Sequence, residues 1–83
     1  MIQIYLTGWC GKCGSARQWL EENNIEYEEI DIEESTSAAE LLEAKTGNRS
    51  VPYFVIDEQW VKGYDAAGFR PELILPYLKK KKN

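Results

Sequence analysis

The sequence predicts an α/β fold with a four-stranded mixed sheet flanked by three helices, in the order βαβ-α-ββ-α. Three observations predict it: apolar residues alternate at the start of the chain, helical spacing follows twice, and two short apolar runs flank an acidic pair. The first βαβ unit requires a parallel strand pair with a right-handed crossover, and the later hairpin adds antiparallel strands. We expect 83 residues to form a single domain, residues 1–83.

The first half of the chain predicts the βαβ unit. Apolar residues alternate over residues 2–6, and helical spacing runs over residues 13–20 up to a stop at Asn23-Asn24. A second strand is expected from Ile25. Its alternation slips at Glu28-Glu29, which predicts an edge strand with a bulge.

The second half predicts a helix, a hairpin and a last helix. The helix should begin at the capping box Ser37-Ala38-Ala39-Glu40, carry Leu41 and Leu42 on one helical face, and end at Gly47. Residues 51–56 and 59–62 are the expected hairpin strands, with the turn at residues 57–58. The last helix should start near Pro71, and Pro76 should bend or shorten it.

Composition limits the class of protein. A hydrophobic content of 43% suits a globular chain, and a net charge of −4 provides no general electrostatic attraction for nucleic acid. The chain starts without a basic segment followed by a long apolar run, so we expect no signal peptide and no membrane span. Both cysteines belong to one motif, which suits the reducing cytoplasm.

The segment Cys10-Gly11-Lys12-Cys13 carries the chemistry. Cys10 falls where the first helix should begin, and unpaired N–H groups and the helix dipole favour a thiolate there. This setting lowers a cysteine pKa from about 8.5 into a range of roughly 3.5–7.5. We expect Cys10 to be the attacking thiolate and Cys13, one turn into the helix, to be a more buried resolving thiol. The pair therefore predicts a thiol–disulfide oxidoreductase.

Other interpretations of the cysteine pair are weaker. A zinc site needs about four ligands, and the chain has no histidine and no second cysteine pair, so we expect no internal metal site. A structural disulfide would close a very short loop and stabilise little. A metal shared between two chains remains open.

These motifs together resemble the glutaredoxin family over nearly the whole chain, and the element order is that of a minimal thioredoxin fold. The matching segments are the cysteine motif, Arg49-Ser50-Val51-Pro52 and Gly63-Tyr64-Asp65. The resemblance implies a cis bond before Pro52, with the turn packed against the thiols. The backbone of Val51 would then pair with an extended substrate.

The resemblance also implies a glutathione site, which this sequence keeps only in part. Glutathione-using members generally carry a basic residue where this chain has Thr7, and a Gly-Gly-X-Asp-Asp segment where it has residues 62–66. Asp65, at the start of a helix-like segment, could hold the glutathione amino group, and Arg49 a carboxylate. Lys62 and Ala66 depart from the family pattern.

A further segment, Gly68-Phe69-Arg70-Pro71-Glu72, is similar to one in NrdH-type redoxins. That group accepts electrons from thioredoxin reductase and delivers them to ribonucleotide reductase. The alternative explanation of this segment is the chemistry of a helix start.

Aromatic and charged residues surround the predicted thiols. Lys12 either lowers the Cys10 pKa and favours anionic partners or is merely solvated. Trp9 either covers the thiols or contacts the substrate, and Tyr53 and Tyr64 are candidates for lining the groove.

The sequence thus predicts a monomeric cytoplasmic oxidoreductase that reduces protein disulfides, with no bound cofactor. Its reductant is either thioredoxin reductase with NADPH or glutathione, and the sequence leans slightly to the former. The alternatives are a glutathione-dependent glutaredoxin and an iron–sulfur carrier in which two chains each lend Cys10.

Overall fold

The computed structural model describes residues 2–8 and 11–79, apart from the Lys79 side chain. Its elements, in chain order, are β1 (Ile2–Leu6), α1 (Gly11–Glu22), β2 (Tyr27–Asp31), α2 (Thr36–Thr46), β3 (Tyr53–Ile56), β4 (Gln59–Lys62), β5 (Tyr64–Asp65), β6 (Gly68–Phe69), a 3₁₀ turn (Pro71–Leu73) and α3 (Leu75–Lys79).

Four strands form the main sheet in the order β2-β1-β3-β4. Strand β1 pairs in parallel with β2 and antiparallel with β3, which in turn pairs antiparallel with β4. The predicted α/β fold, with its mixed sheet and three helices, is therefore confirmed.

The principal core lies between the sheet and helix α1. It combines alternate residues of β1 with apolar residues of α1, β3 and β4 and with Ile74 near the chain end: Ile2, Ile4, Leu6, Cys13, Ala16, Leu20, Phe54, Ile56, Val61 and Ile74. Tyr5 points to the other side of β1, where its ring lies 4.9 Å from that of Trp60. Helix α2 buries Ala39 and Leu42 outside the principal core.

Strand β2 is an edge strand, as predicted, but it begins at Tyr27 and has no bulge. Its register against β1 is continuous from Ile2–Tyr27 to Leu6–Asp31. The Ile25 N–H donates to the Leu20 carbonyl at 2.9 Å, so it closes the end of α1 instead of starting a strand. The two consecutive glutamates are compatible with a regular edge strand because each side chain has a separate partner. Glu28 Oε1 accepts a hydrogen bond from Gln3 Nε2, and Glu29 Oε2 forms an ion pair with Arg17 Nε at 2.7 Å.

Helix α2 begins at Thr36, so the expected capping box at Ser37 is wrong. Ser35 is the N-cap, and its hydroxyl accepts the Ala38 N–H at 3.2 Å. In this helix, which begins at Thr36, Leu42 is fully buried whereas Leu41 is 42% exposed. The predicted stop at Gly47 is confirmed, since Gly47 has φ +94°.

The hairpin turn at Asp57-Glu58 is confirmed. Both residues have positive φ, 52° and 69°, which is the backbone of the tight turn that matches strand twist. The last helix is interrupted: a 3₁₀ turn precedes α3, and Pro76 lies in the first turn of α3. Because Pro76 has no N–H to donate, one hydrogen bond of a continuous helix from Pro71 would be missing, and the helix is broken before α3. No helix in the described part of the chain is long and apolar enough to span a membrane.

A two-stranded ribbon, β5–β6, follows the main sheet and was not predicted. Gly63 joins it to β4 and is buried, with its carbonyl accepting the Arg70 N–H at 2.9 Å. A Cβ at position 63 would lie 2.7 Å from Phe54 Cδ1, far inside normal contact. Since the Phe54 ring is fully buried, it cannot move aside easily. Only glycine fits this position.

We expect Gly63→Ala to destabilise the protein by about 1–3 kcal/mol, because the new methyl group overpacks against Phe54. Urea denaturation followed by tryptophan fluorescence measures the change. Gly14→Ala is the matched control: Gly14 is exposed in α1 with open space around it, so this change should be neutral or slightly stabilising. Equal stability of the two variants would contradict the packing argument.

Candidate functional site

Helix α1 begins at Gly11, the residue that follows Cys10 in the sequence. Its first turn contains no acidic residue and includes Lys12. The positive end of the helix dipole is therefore not neutralised by the helix's own side chains. Trp9 and Cys10, to which the sequence assigns a contact role and the attacking thiol, lie outside the described residues.

Cys13 lies one turn into α1 and is fully buried. It belongs to the principal core together with Leu6 and Ala16. The expectation that Cys13 is buried is confirmed, whereas its role as a resolving thiol remains a prediction. Among the described residues, no three side chains of metal-ligating type cluster together.

The peptide bond between Val51 and Pro52 is cis, as the family resemblance implies. Pro52 is fully buried, and Val51 packs against the principal core that contains Cys13. Strand β3 begins one residue later, at Tyr53. The structure thus places the proline turn and the cysteine helix around one core.

The charged residues assigned to a glutathione site are paired within the chain. Arg49 Nε contacts Glu43 Oε1 at 2.9 Å, and Asp65 Oδ2 lies 3.4 Å from Arg70 Nε. Asp65 also accepts the Ala67 N–H at 2.8 Å. Asp65 lies in strand β5, so the expectation that it starts a helix is wrong. Its carboxylate instead stabilises the turn of the ribbon.

Thr7 stands where glutathione-using relatives generally carry a basic residue, and it is only 3% exposed. Its hydroxyl oxygen has no hydrogen-bond partner within the part of the chain that the structure describes. A buried threonine supplies no charge for a carboxylate of glutathione.

Two lysines approach the ring of Tyr64. Lys12 Nζ lies 5.7 Å and Lys62 Nζ 5.0 Å from the ring centroid, both within cation–π range. Burial raises the pKa of Tyr53, and the nearby Tyr64 contributes to this rise. Lys62 therefore lies beside Tyr64 and opposite Tyr53 in the sheet, and Lys12 approaches the same Tyr64 ring. The sequence marks Lys62 only as a departure from the family pattern. The sequence signal that could have identified Lys62 was its position, two residues before Tyr64, which the sequence predicts to line the groove.

The segment from Gly68 to Pro71 has a structural role. Gly68 has φ +122°, which favours glycine, and the Phe69 ring lies 6.1 Å from Trp19 and 6.0 Å from Phe54. Pro71 opens the 3₁₀ turn. The fold therefore gives Gly68, Phe69 and Pro71 internal roles, and the start of the 3₁₀ turn at Pro71 fits the helix-start explanation of that residue.

A buried cysteine of a Cys-X-X-Cys segment, a helix beginning inside that segment and a cis-proline turn on the same core define a protein with the thioredoxin fold. The Glutaredoxin family model matches residues 2–61. The chain belongs to the glutaredoxin family.

Individual relatives agree with this assignment. A Mycobacterium tuberculosis protein named as a glutaredoxin, Rv3198A, is 44% identical over 52 residues, which cover 61% of this chain and 62% of that relative. The glutaredoxin-like protein NrdH of Lactococcus lactis is 30% identical over 71 residues, covering 86% of this chain and 90% of its own. The crystal structure of the thioredoxin-like protein BC3987 superposes with a TM-score of 0.76 at 28% identity, covering 93% of this chain and 99% of the other.

Burial of Cys13 predicts unequal reactivity of the two thiols. In the reduced folded protein, iodoacetamide should modify Cys10 at neutral pH at least tenfold faster than Cys13, since Cys13 is inaccessible and thiolate character governs the rate. Trypsin cleaves after Lys12 and separates the two cysteines, so mass spectrometry can read each one. In urea the rates should converge. Equal rates in the folded protein would contradict the assignment of Cys10 as the attacking thiol.

Proposed function

We propose that the protein is a cytoplasmic, monomeric dithiol oxidoreductase that reduces disulfides in other proteins. The observation that carries this proposal is the burial of Cys13 in the first turns of α1, three residues after Cys10 and on the same core as the cis-proline turn. A resolving thiol must be shielded from other reagents yet remain next to the attacking one. Membership of the glutaredoxin family supports the same chemistry.

In the proposed cycle, the Cys10 thiolate attacks one sulfur of the substrate disulfide. A Cys10–substrate disulfide forms, and the other substrate sulfur leaves as a thiolate that takes up a proton. Cys13 loses its proton and attacks the Cys10 sulfur, which releases the second substrate thiol. The substrate has then gained two electrons, and the protein holds a disulfide between Cys10 and Cys13. A reductase returns two electrons to restart the cycle.

Thioredoxin reductase with NADPH is the reductant that we favour over glutathione. Thr7 is buried and uncharged, and both Arg49 and Asp65 already pair with groups of this chain. These pairs are half exposed and contribute only about 0–1 kcal/mol each, so they weaken rather than forbid glutathione binding. The relative named NrdH makes ribonucleotide reductase a candidate acceptor of the electrons.

Parallel NADPH-consumption assays with a protein disulfide substrate test this proposal. One assay contains thioredoxin reductase alone, and the other contains glutathione and glutathione reductase. We expect turnover in the first assay and at least tenfold less in the second. Turnover only with glutathione would identify a glutathione-dependent glutaredoxin, and absence of turnover in both would reject the oxidoreductase proposal. A brown, metal-containing protein after anaerobic purification would favour the iron–sulfur alternative.

Substitution of the resolving thiol tests the cycle itself. Cys13→Ser should accumulate a disulfide between Cys10 and the substrate, because no second thiol attacks the Cys10 sulfur. Non-reducing electrophoresis and intact-mass measurement detect this adduct. Dithiothreitol should reduce the mixed disulfide and release the substrate. Cys10→Ser is the matched control and should form no adduct. Full multiple-turnover reduction of protein disulfides by Cys13→Ser would contradict the resolving role.

A further inference from the structure

We propose that Lys12 and Lys62, which both contact the Tyr64 ring, select substrate segments with acidic residues beside the reducible disulfide. This inference rests on the proposed function and specifies its substrate class. Together with Tyr53 and Tyr64, the two lysines form what we call the cationic surface.

The two lysines differ from the arginines of the described residues in having no acidic partner. Arg17, Arg49 and Arg70 each contact a carboxylate at 3.4 Å or less. Within residues 2–8 and 11–79, no carboxylate lies within 4.0 Å of Lys12 Nζ or Lys62 Nζ. Their contacts with the aromatic ring leave their charges available to an anion.

Two ammonium groups at one ring repel each other, and the ring quadrupole offsets only part of this repulsion. An acidic side chain that approaches either ammonium group would offset this repulsion and form an ion pair with that lysine. Tyr53 and Tyr64 also carry phenol groups, which are hydrogen-bond donors for carboxylates and peptide carbonyls. The cationic surface therefore matches an acidic peptide segment better than a neutral one.

The position of this surface suits a substrate that is reacting at the thiols. Lys12 is in the first turn of α1, two residues after Cys10, and Tyr53 directly follows the cis-proline turn. Lys62 pairs in register with Tyr53 across β3 and β4. A substrate segment that extends along the proline turn would thus bring the residues beside its cysteine to the two lysines.

The charge distribution over the rest of the molecule also favours binding of an acidic segment at the cationic surface. The chain has 14 acidic and 10 basic residues, and four of the basic residues are the lysines at positions 79–82. Strand β2 and its flanks present many carboxylates on the opposite edge of the sheet. An acidic partner is repelled there and attracted at the cationic surface, so the field also orients the encounter.

Single-turnover reduction of matched peptides tests this inference. Fully reduced protein, prepared with dithiothreitol and desalted, is mixed with disulfide-linked peptides that carry either aspartate or asparagine beside the cysteine. No reductase is needed, so the result does not depend on the identity of the reductant. The rate constant for each peptide is measured by stopped-flow tryptophan fluorescence at low and high salt.

We expect the wild-type protein to reduce the aspartate peptide several-fold faster than the asparagine peptide at low salt, and the ratio to approach 1 at about 1 M salt. Lys62→Gln should lower the ratio by about two- to fivefold, and Lys12→Gln with Lys62→Gln should abolish the preference. Lys12→Gln alone can also slow both peptides through the Cys10 pKa, and the ratio separates the two effects. Lys45→Gln, which removes an equal charge from the last turn of α2, should leave the ratio unchanged.

The outcomes distinguish the two proposals. Rapid reduction of both peptides at one rate, or equal effects of Lys45→Gln and Lys62→Gln, would overturn the role of the cationic surface and leave the oxidoreductase intact. Failure of the wild-type protein to reduce either peptide would overturn both.

Discussion

The close approach of the Phe54 ring to the backbone of Gly63 is the contact on which the arrangement around the thiols depends. Phe54 belongs to the central strands of the sheet and is fully buried, so its ring fixes where the chain can leave β4. The Gly63 carbonyl then accepts the Arg70 N–H, which closes the β5–β6 ribbon. Phe69 returns from that ribbon to pack between Phe54 and Trp19. Tyr64 is placed beside Lys12 because the residue before it has no side chain.

This placement separates residues that hold the fold from residues that face a partner. Gly63, Asp65 and Phe69 match a family pattern, yet their contacts are internal: close packing, a turn hydrogen bond and an aromatic cluster. A family pattern alone therefore does not identify ligand contacts. Among the described residues, Lys12 and Lys62 are the lysines that lie over the Tyr64 ring without a carboxylate within 4.0 Å, and the second of these breaks the pattern.

Sequence reasoning predicted the fold because its signals were local and repeated: alternation in β1, helical spacing in α1, and an acidic turn between two apolar runs. Its errors concern features that depend on contacts between distant residues or on strands too short to show a pattern. The serine used as a cap was Ser35 rather than Ser37, since both offer a hydroxyl and tertiary burial of Leu42 sets the helix. The ribbon strands have two residues each, too short for any period to show. The ion pairs of Arg49 and Asp65 depend on distances that spacing does not encode.

In the proposed chemistry Lys12 would serve two purposes: it would stabilise the Cys10 thiolate, and it would attract an acidic substrate segment. These two electrostatic effects act over different distances. Stabilisation of a thiolate by a neighbouring positive charge acts over a few ångströms, a distance at which salt screens little. Attraction of an acidic segment acts through solvent and falls with ionic strength. On these proposals Lys12, in the first turn of α1, would contribute to both, whereas Lys62, in β4, would contribute mainly to the second. On this proposal, a substitution at position 62 would change the choice of partner while leaving the reactivity of the thiol almost unchanged.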